Sequence, residues 1–510
     1  MARVALAAMV SLWIIPISIL VNRIVPEPYM DEIFHIPQAQ CYCRGGFSTW
    51  DPMITTPPGL YYLSLGYIAS LFPVMWFAKV VQSFPDLCSV AVLRSTNGVM
   101  AILCSVILYD LIRFLRPGIG EKKTMVYAMV MALYPLHWFF TFLYYTDVAS
   151  LAAVLAMHLA CLKRHYWVSA MLGSLSILFR QTNVVWMMFV AADGAMNYIE
   201  DFNRSDGVQK DQRPFVEESD AVTNNRSGTG TSTMRRRRIK GSSKDASLSN
   251  SETDNNVTYQ TQGFFDEIRD IVLRLWWLKR EVLAAFAPFI VVVVAFLAFV
   301  IWNGSIVLGA KEAHTVSPHL AQMLYFGLAS AAALAPVHFT LKQVGTLCQW
   351  LMKKRILGLL QMLVALTIGL MVVHFFSIAH PYLLADNRHY PFYVWRKVIQ
   401  AHWLMKYLLV LVYVYSWVSI IIILARNQKR FWVLLFIAAT AMVLIPAPLI
   451  EFRYFTIPFY LMLLHSRVSD NLSWLVMGIL YIFVNIFTMA VFLFRPFHWD
   501  HEPGTQRFIW

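Results

Sequence analysis

Val4-Ala5-Leu6-Ala7-Ala8-Met9-Val10-Ser11-Leu12-Trp13-Ile14-Ile15-Pro16-Ile17-Ser18-Ile19-Leu20-Val21-Asn22 is an apolar run without a charge. As a helix it is long enough to cross the hydrocarbon core of a bilayer. It exceeds a signal-peptide core and leads into Arg23 without a small-x-small cleavage site, so it reads as a retained span. Pro26 and Pro28 then hold the chain extended as far as Tyr29-Met30-Asp31-Glu32-Ile33-Phe34-His35. Two adjacent carboxylates thus stand at a membrane surface, where they can meet the polar head of a lipid whose tail stays buried. Taken alone, the pair is most simply an acidic solvated loop. Its neighbours change that reading.

The remaining sequence repeats the pattern of the first span. Hydrophobic residues make up 58% of the 510 positions and charged residues only 14%. Further apolar runs lie near 90–112, 124–142, 146–162, 166–180, 184–194, 282–303, 319–340, 356–378, 403–424, 431–448, 454–466 and 473–494. The short pair 166–180 and 184–194 is also compatible with one hairpin around Arg180-Gln181-Thr182-Asn183. The expectation is an all-α polytopic membrane protein with roughly 12–13 transmembrane helices. Residues 200–265 are polar, carry Arg235-Arg236-Arg237-Arg238, and are expected to form a disordered cytosolic linker. The linker divides an N-terminal module, 1–199, from a C-terminal module, 266–510.

Charge constrains the topology. Basic clusters at Arg113/Arg116/Lys122/Lys123, Lys163/Arg164, the four arginines, Lys342/Lys353/Lys354/Arg355 and Arg426/Lys429/Arg430 fall on one side if 59–77 does not cross. Its Thr55-Thr56-Pro57-Pro58 entry and its aromatics favour an interfacial or re-entrant helix there, with Asp31 on the non-cytosolic side. If 59–77 spans, Asp31 faces the cytosol instead. The net charge of +13 fits basic cytoplasmic loops better than nucleic-acid binding. The six cysteines are expected to form neither a disulfide framework nor a zinc pattern.

Three polar islands share the presumed lumenal face with Asp31 and His35. They are Tyr144-Tyr145-Thr146-Asp147, the run His380 to Tyr390 containing Asp386-Asn387-Arg388-His389, and Glu451-Phe452-Arg453-Tyr454. Arg180, Gln181 and Asn183 fall on the same face. A single charge at a span end is usually an anchor snorkelling to water. Recurrence on the same face as a carboxylate pair instead suggests a site, and arginine offers a permanently charged planar fork suited to phosphate. There is no Asp-x-Asp pair, Walker loop or dinucleotide glycine fingerprint. The tail His498-Trp499-Asp500-His501-Glu502 reads as an interfacial aromatic segment rather than a metal site.

Met30-Asp31-Glu32-Ile33-Phe34-His35-Ile36-Pro37-Gln38-Ala39-Gln40, Trp50 to Leu60, Phe179-Arg180-Gln181-Thr182-Asn183, Ala385 to Tyr390 and Glu451 to Phe455 together carry a resemblance. The chain resembles GT-C glycosyltransferases of the endoplasmic reticulum, in particular the dolichyl-phosphate-glucose α-1,2-glucosyltransferases that add the terminal glucose of the N-glycan precursor. The resemblance implies a GT-C fold with lumenal juxtamembrane helices in the first loop. It implies inverting transfer from dolichyl β-phosphoglucose to a diglucosylated dolichyl-diphosphate oligosaccharide. In that scheme Asp31 is the general base and Glu32 an orienting or alternative base, while Arg388, His389, Arg453 and Arg180 serve the donor phosphate. His35, Asp147, Gln181, Asn183, Asp386 and Asn387 are further polar candidates. No metal or other cofactor is expected, and the partners are the two lipid-linked substrates and membrane lipids. A GT-C mannosyltransferase and, in another class, a transporter or scramblase are the alternatives.

Overall fold

The computed structural model describes residues 1–211, 263–314, 317–447, 449–500 and 502–510. Among these the architecture is helical apart from one antiparallel hairpin, Phe497–Trp499 with Glu502–Gln506, and an isolated bridge. Seven helices are long and apolar enough to cross a membrane: Ala2–Ile24, Gly59–Phe77, Val90–Leu115, Lys279–Asn303, Arg355–Phe375, Met405–Asn427 and Asn471–Phe494. The shorter apolar helices Thr146–Leu162, Tyr166–Phe179 and Arg430–Leu444 pack among them. Thr146–Leu162 is buried along nearly its whole length, so it meets protein where a longer helix would meet lipid. The outer helices turn Ile301, Trp302, Leu363 and Phe483 outward. That is stable only where the solvent is hydrocarbon and every backbone polar group is satisfied within the helix. The chain is a multi-pass membrane protein.

Proline and backbone strain set the breaks that apolar runs conceal. The run 124–142 divides into Glu121–Ala132 and Pro135–Phe140, and 319–340 into Ala321–Ala333 and Ala335–His338. In both, Pro135 or Pro336 removes a donor and disfavours helical backbone just before it. Arg355, with φ 41°, breaks the helix Leu341–Phe375. Tyr166–Phe179 and Asn183–Asp211 are two antiparallel neighbours joined by the turn at Arg180. The second helix carries residues 200–211, where disorder was expected. The chain re-enters a helix at Phe264–Trp277, and the remainder of the expected linker, 212–262, lies outside the described residues.

Two poles emerge. At one, Arg3 pairs with Asp110, Arg116 donates to the carbonyls of Leu463, Leu464 and Val468, Arg164 pairs with Asp201, and Lys429 with Glu200. Members of the sequence's basic clusters thus converge. At the other, Glu32 pairs with Arg94 and Cys43 is joined to Cys88 by a disulfide. The chain therefore leaves and returns to one pole between Glu32 and Arg94. A single crossing by Gly59–Phe77, the least apolar of the seven, would strand Arg94 on the far side of the membrane. The geometry favours the interfacial or re-entrant placement. The disulfide corrects the reading of the cysteines. Forty-five residues separate the pair in sequence, yet the return of the chain leaves their Cα atoms 6.6 Å apart.

Candidate active site

Met30 adopts φ 55°, a left-handed conformation uncommon for a side-chain-bearing residue. The turn it makes starts the helix Glu32–Cys43 and sends the two carboxylates in different directions. Asp31 holds the N-cap position without using its carboxylate as a cap. Its Oδ2 instead accepts from Arg453 Nη1 at 2.8 Å, while its amide donates to the Tyr145 hydroxyl at 3.2 Å. The Asp31 side chain stays 40% exposed, so a substrate can reach it.

Glu32 turns inward and is fully buried. Its oxygens accept from Arg94 Nε and Nη2 at 2.9 and 2.6 Å, from the Tyr144 amide at 2.6 Å and from the Tyr29 amide at 3.1 Å. Arg94 also donates to Asn22 and to the carbonyls of Val25 and Glu27. This ion pair locks the first loop to the helix Val90–Leu115 and to the 144–145 turn. Its carboxylate is committed to the scaffold.

Arg453 bridges Asp31 and Glu451 and lies over the Tyr145 ring, 5.6 Å from its centroid. Burial pushes the Asp31 carboxyl up, but the adjacent guanidinium outweighs it and holds Asp31 below the usual carboxylate range. The same balance lowers Glu451. Burial alone would lower Arg453; its two carboxylate partners instead raise it well above its ordinary value. Arg180 completes the floor, donating to Thr146 Oγ1 at 3.2 Å, pairing with Asp147 at 3.2 Å and lying over Tyr454. His35 Nδ1 meets the Tyr61 hydroxyl at 2.6 Å. Burial lowers the His35 pKa more than Asp31 raises it, so the ring is neutral at neutral pH.

The run Asp386–His389 forms a rim under the C-terminal tail. Asp386 grips Arg388 through Nε and Nη2, and Gln506 Oε1 accepts from Arg388 Nη1 at 2.9 Å. Asn387 Oδ1 accepts from Trp499 Nε1, over whose ring Arg388 lies. The Tyr390 amide donates to the Ile509 carbonyl and the Ile509 amide to the Arg388 carbonyl across this contact, and the Arg507 amide donates to Tyr29 Oη at 2.7 Å. The tail is therefore docked beside Asp31, not merely interfacial. His389 faces Asp31 and Glu451 closely enough to lower both carboxyls.

Asp31, His35, Asp147, Arg180, Arg453 and His389 come together, with Asp386, Asn387 and Arg388 beside them. Gln181 and Asn183 are scaffold. Gln181 donates to the Thr55 carbonyl, and Asn183, fully buried, donates to Ser150 and to the Ser176 carbonyl. Sequence reasoning missed Arg94, named Tyr145 in a polar island without a role, and read the tail as interfacial only. Arg94 had a signal, since an arginine inside an apolar run needs a buried partner; the tail had none.

A reachable carboxylate held by arginine at one face of a polytopic bundle is the arrangement of a membrane glycosyltransferase. Residues 25–464 match the DIE2/ALG10 family, and the chain belongs to it. It is 55% identical over 513 residues, covering 100% of both chains, to an Arabidopsis thaliana protein named Dol-P-Glc:Glc(2)Man(9)GlcNAc(2)-PP-Dol alpha-1,2-glucosyltransferase. Proteins of the same name from Mus musculus and Homo sapiens are 34% and 32% identical, each over 96% of this chain and 94% of theirs. No solved structure matches.

Proposed function

We propose that this protein transfers glucose from dolichyl β-phosphoglucose to the diglucosylated dolichyl-diphosphate oligosaccharide, forming the terminal α-1,2 linkage. The observation that carries the reading is the junction of the exposed Asp31 carboxylate with Arg453, in a chain aligned end to end with a transferase of that name. A β donor and an α product require inversion, hence one displacement. The acceptor hydroxyl attacks the anomeric carbon, its proton passes to Asp31, and the carbon–oxygen bond to phosphate breaks with both electrons leaving on the phosphate. Because phosphate departs as an anion, this route needs no general acid and no metal.

Arg453 and Arg180 are the phosphate ligands in this proposal. Arg180 holds its carboxylate at 3.2 Å or longer, so a phosphate can recruit its fork at small loss. Drawing Arg453 toward the phosphate relieves Asp31 of the charge that lowers its pKa and leaves a stronger base when the acceptor is in place. Arg388 and His389 carry the rim, and Glu32 orients Asp31 through the loop it anchors.

The site pole is assigned to the lumen of the endoplasmic reticulum. Two features support this: Cys43–Cys88 belongs in an oxidising compartment, and the basic clusters gather at the opposite pole. Asn203, Asn225 and Asn256 stand in sequons and should then carry no glycan; modification of any of them would reverse the orientation. The deciding assay is purified protein with dolichyl phosphoglucose and the diglucosylated acceptor. Release of dolichyl phosphate with one added α-1,2 glucose is expected. Transfer of mannose from dolichyl phosphomannose, or lipid movement without transfer, would replace the reading.

A further inference from the structure

At the pole opposite the transfer site, one ligand atom from each of His158, Asp193 and His465 lies within 4.8 Å of the others, and all three side chains are buried. His158 is fully buried and neither of its ring nitrogens has a hydrogen-bond partner. Its Nδ1 stands 4.0 Å from Asp193 Oδ2. Leaving an imidazole so placed is costly unless something else satisfies it. His465 Nδ1 meets the Leu461 carbonyl at 2.9 Å, which fixes the tautomer and frees Nε2. That is how ligating histidines are usually oriented. The Trp432 ring packs on His465, centroids 4.5 Å apart. A cavity of about 410 Å³ is lined by Asp193, His465 and Cys161 among others and gives access from this pole.

We infer that His158, Asp193 and His465 form a divalent transition-metal site, best suited to zinc, that staples three helices at this pole. Two imidazoles and a carboxylate with a water from the cavity make a tetrahedral set. Zinc–ligand bonds of about 2.0–2.1 Å require the donor atoms to close to roughly 3.3 Å, a change reachable by side-chain rotation. The placement gives the staple a purpose. Thr146–Leu162 carries both Asp147 and His158, the helix carrying Asp193 begins at Asn183 just after Arg180, and the helix carrying His465 begins at Thr456 just after Arg453. In each helix the ligand stands roughly 14–18 Å along the axis from the end nearer the transfer site. The metal would fix the far ends of helices whose near ends carry Asp147 and adjoin Arg180 and Arg453, without touching the reaction.

The test is metal content and does not depend on the transfer assay. Full-length protein purified in detergent is stripped with chelator, reloaded with zinc, desalted and measured by inductively coupled plasma mass spectrometry. About one zinc per chain is expected, with a rise in thermal midpoint on reloading. Cobalt in place of zinc should give the visible bands of a tetrahedral nitrogen–oxygen site. The His158→Ala/His465→Ala chain should lose the ion and the thermal response together. Wild-type protein retaining less than about a tenth of an ion per chain overturns the inference, as does a double variant that binds as much zinc as wild type. If that variant does not fold, Asp193→Asn and the wild-type stoichiometry decide alone.

Discussion

Replacing Glu32 with Gln conserves its size and changes one charge, and it separates scaffold from chemistry at adjacent positions. Glu32 is the ionised partner of Arg94, whose side chain is 1% exposed. The variant leaves that guanidinium with Asn22 and two carbonyls but no counter-charge. Breaking a buried pair from one side costs roughly 3–5 kcal/mol, a large share of the roughly 5–15 kcal/mol that keeps a typical domain folded. Scanning fluorimetry in detergent should therefore show a thermal midpoint lower by several degrees and a reduced folded yield. Turnover per folded molecule should fall less than about tenfold, because the base is still present. Removing the second charge, in Glu32→Gln/Arg94→Gln, should recover part of the loss, since the isolated buried charge is gone. A Glu32→Gln protein with a wild-type midpoint and collapsed turnover would refute the assignment and move the base to Glu32.

Asp31→Asn should behave in the opposite way, with near-normal folding and turnover lower by about two to four orders of magnitude; dolichyl phosphate release from labelled donor measures it. With Asp31 held below 3.8, wild-type kcat/KM should be insensitive to this group near neutrality and fall only in acid. Arg453→Gln removes the lowering influence and leaves burial, so the acid limb of the residual activity should move upward, as a pH–rate profile would show. The same sign governs stability: Asp31 and Glu451 stabilise the fold above their ordinary values of 3.8 and 4.5, and the contribution is lost as pH falls through their lowered folded values. Cys43→Ser opens a loop of 45 residues, worth about 4 kcal/mol by chain entropy, so its midpoint should match that of reduced wild type.

The class of fold was legible because lipid imposes length and apolarity on each span, and Ala2–Ile24, Met405–Asn427 and Asn471–Phe494 sit almost where their runs do. Asp31 and Arg453 were legible as charges at span ends sharing a face, although only the structure joins them across the chain. What separates Asp31 from Glu32 was not, because consecutive side chains at a helix start point about 100° apart and nothing in the pair says which one faces inward. The helix breaks at Pro135 and Pro336 lay inside apolar runs whose composition outweighed one proline. Cys43–Cys88 and the tail contacts depend on long-range chain return, which local pattern does not encode.

The docked tail orders events in time. Gln506, Arg507 and Ile509 hold Arg388 and Tyr29, so the neighbourhood of Asp31 is finished by residues made after every helix. During synthesis the spans are made, and can insert, before the rim gains its cover. Completion of the site would then follow insertion of the spans, separating the appearance of protein in the membrane from the appearance of activity.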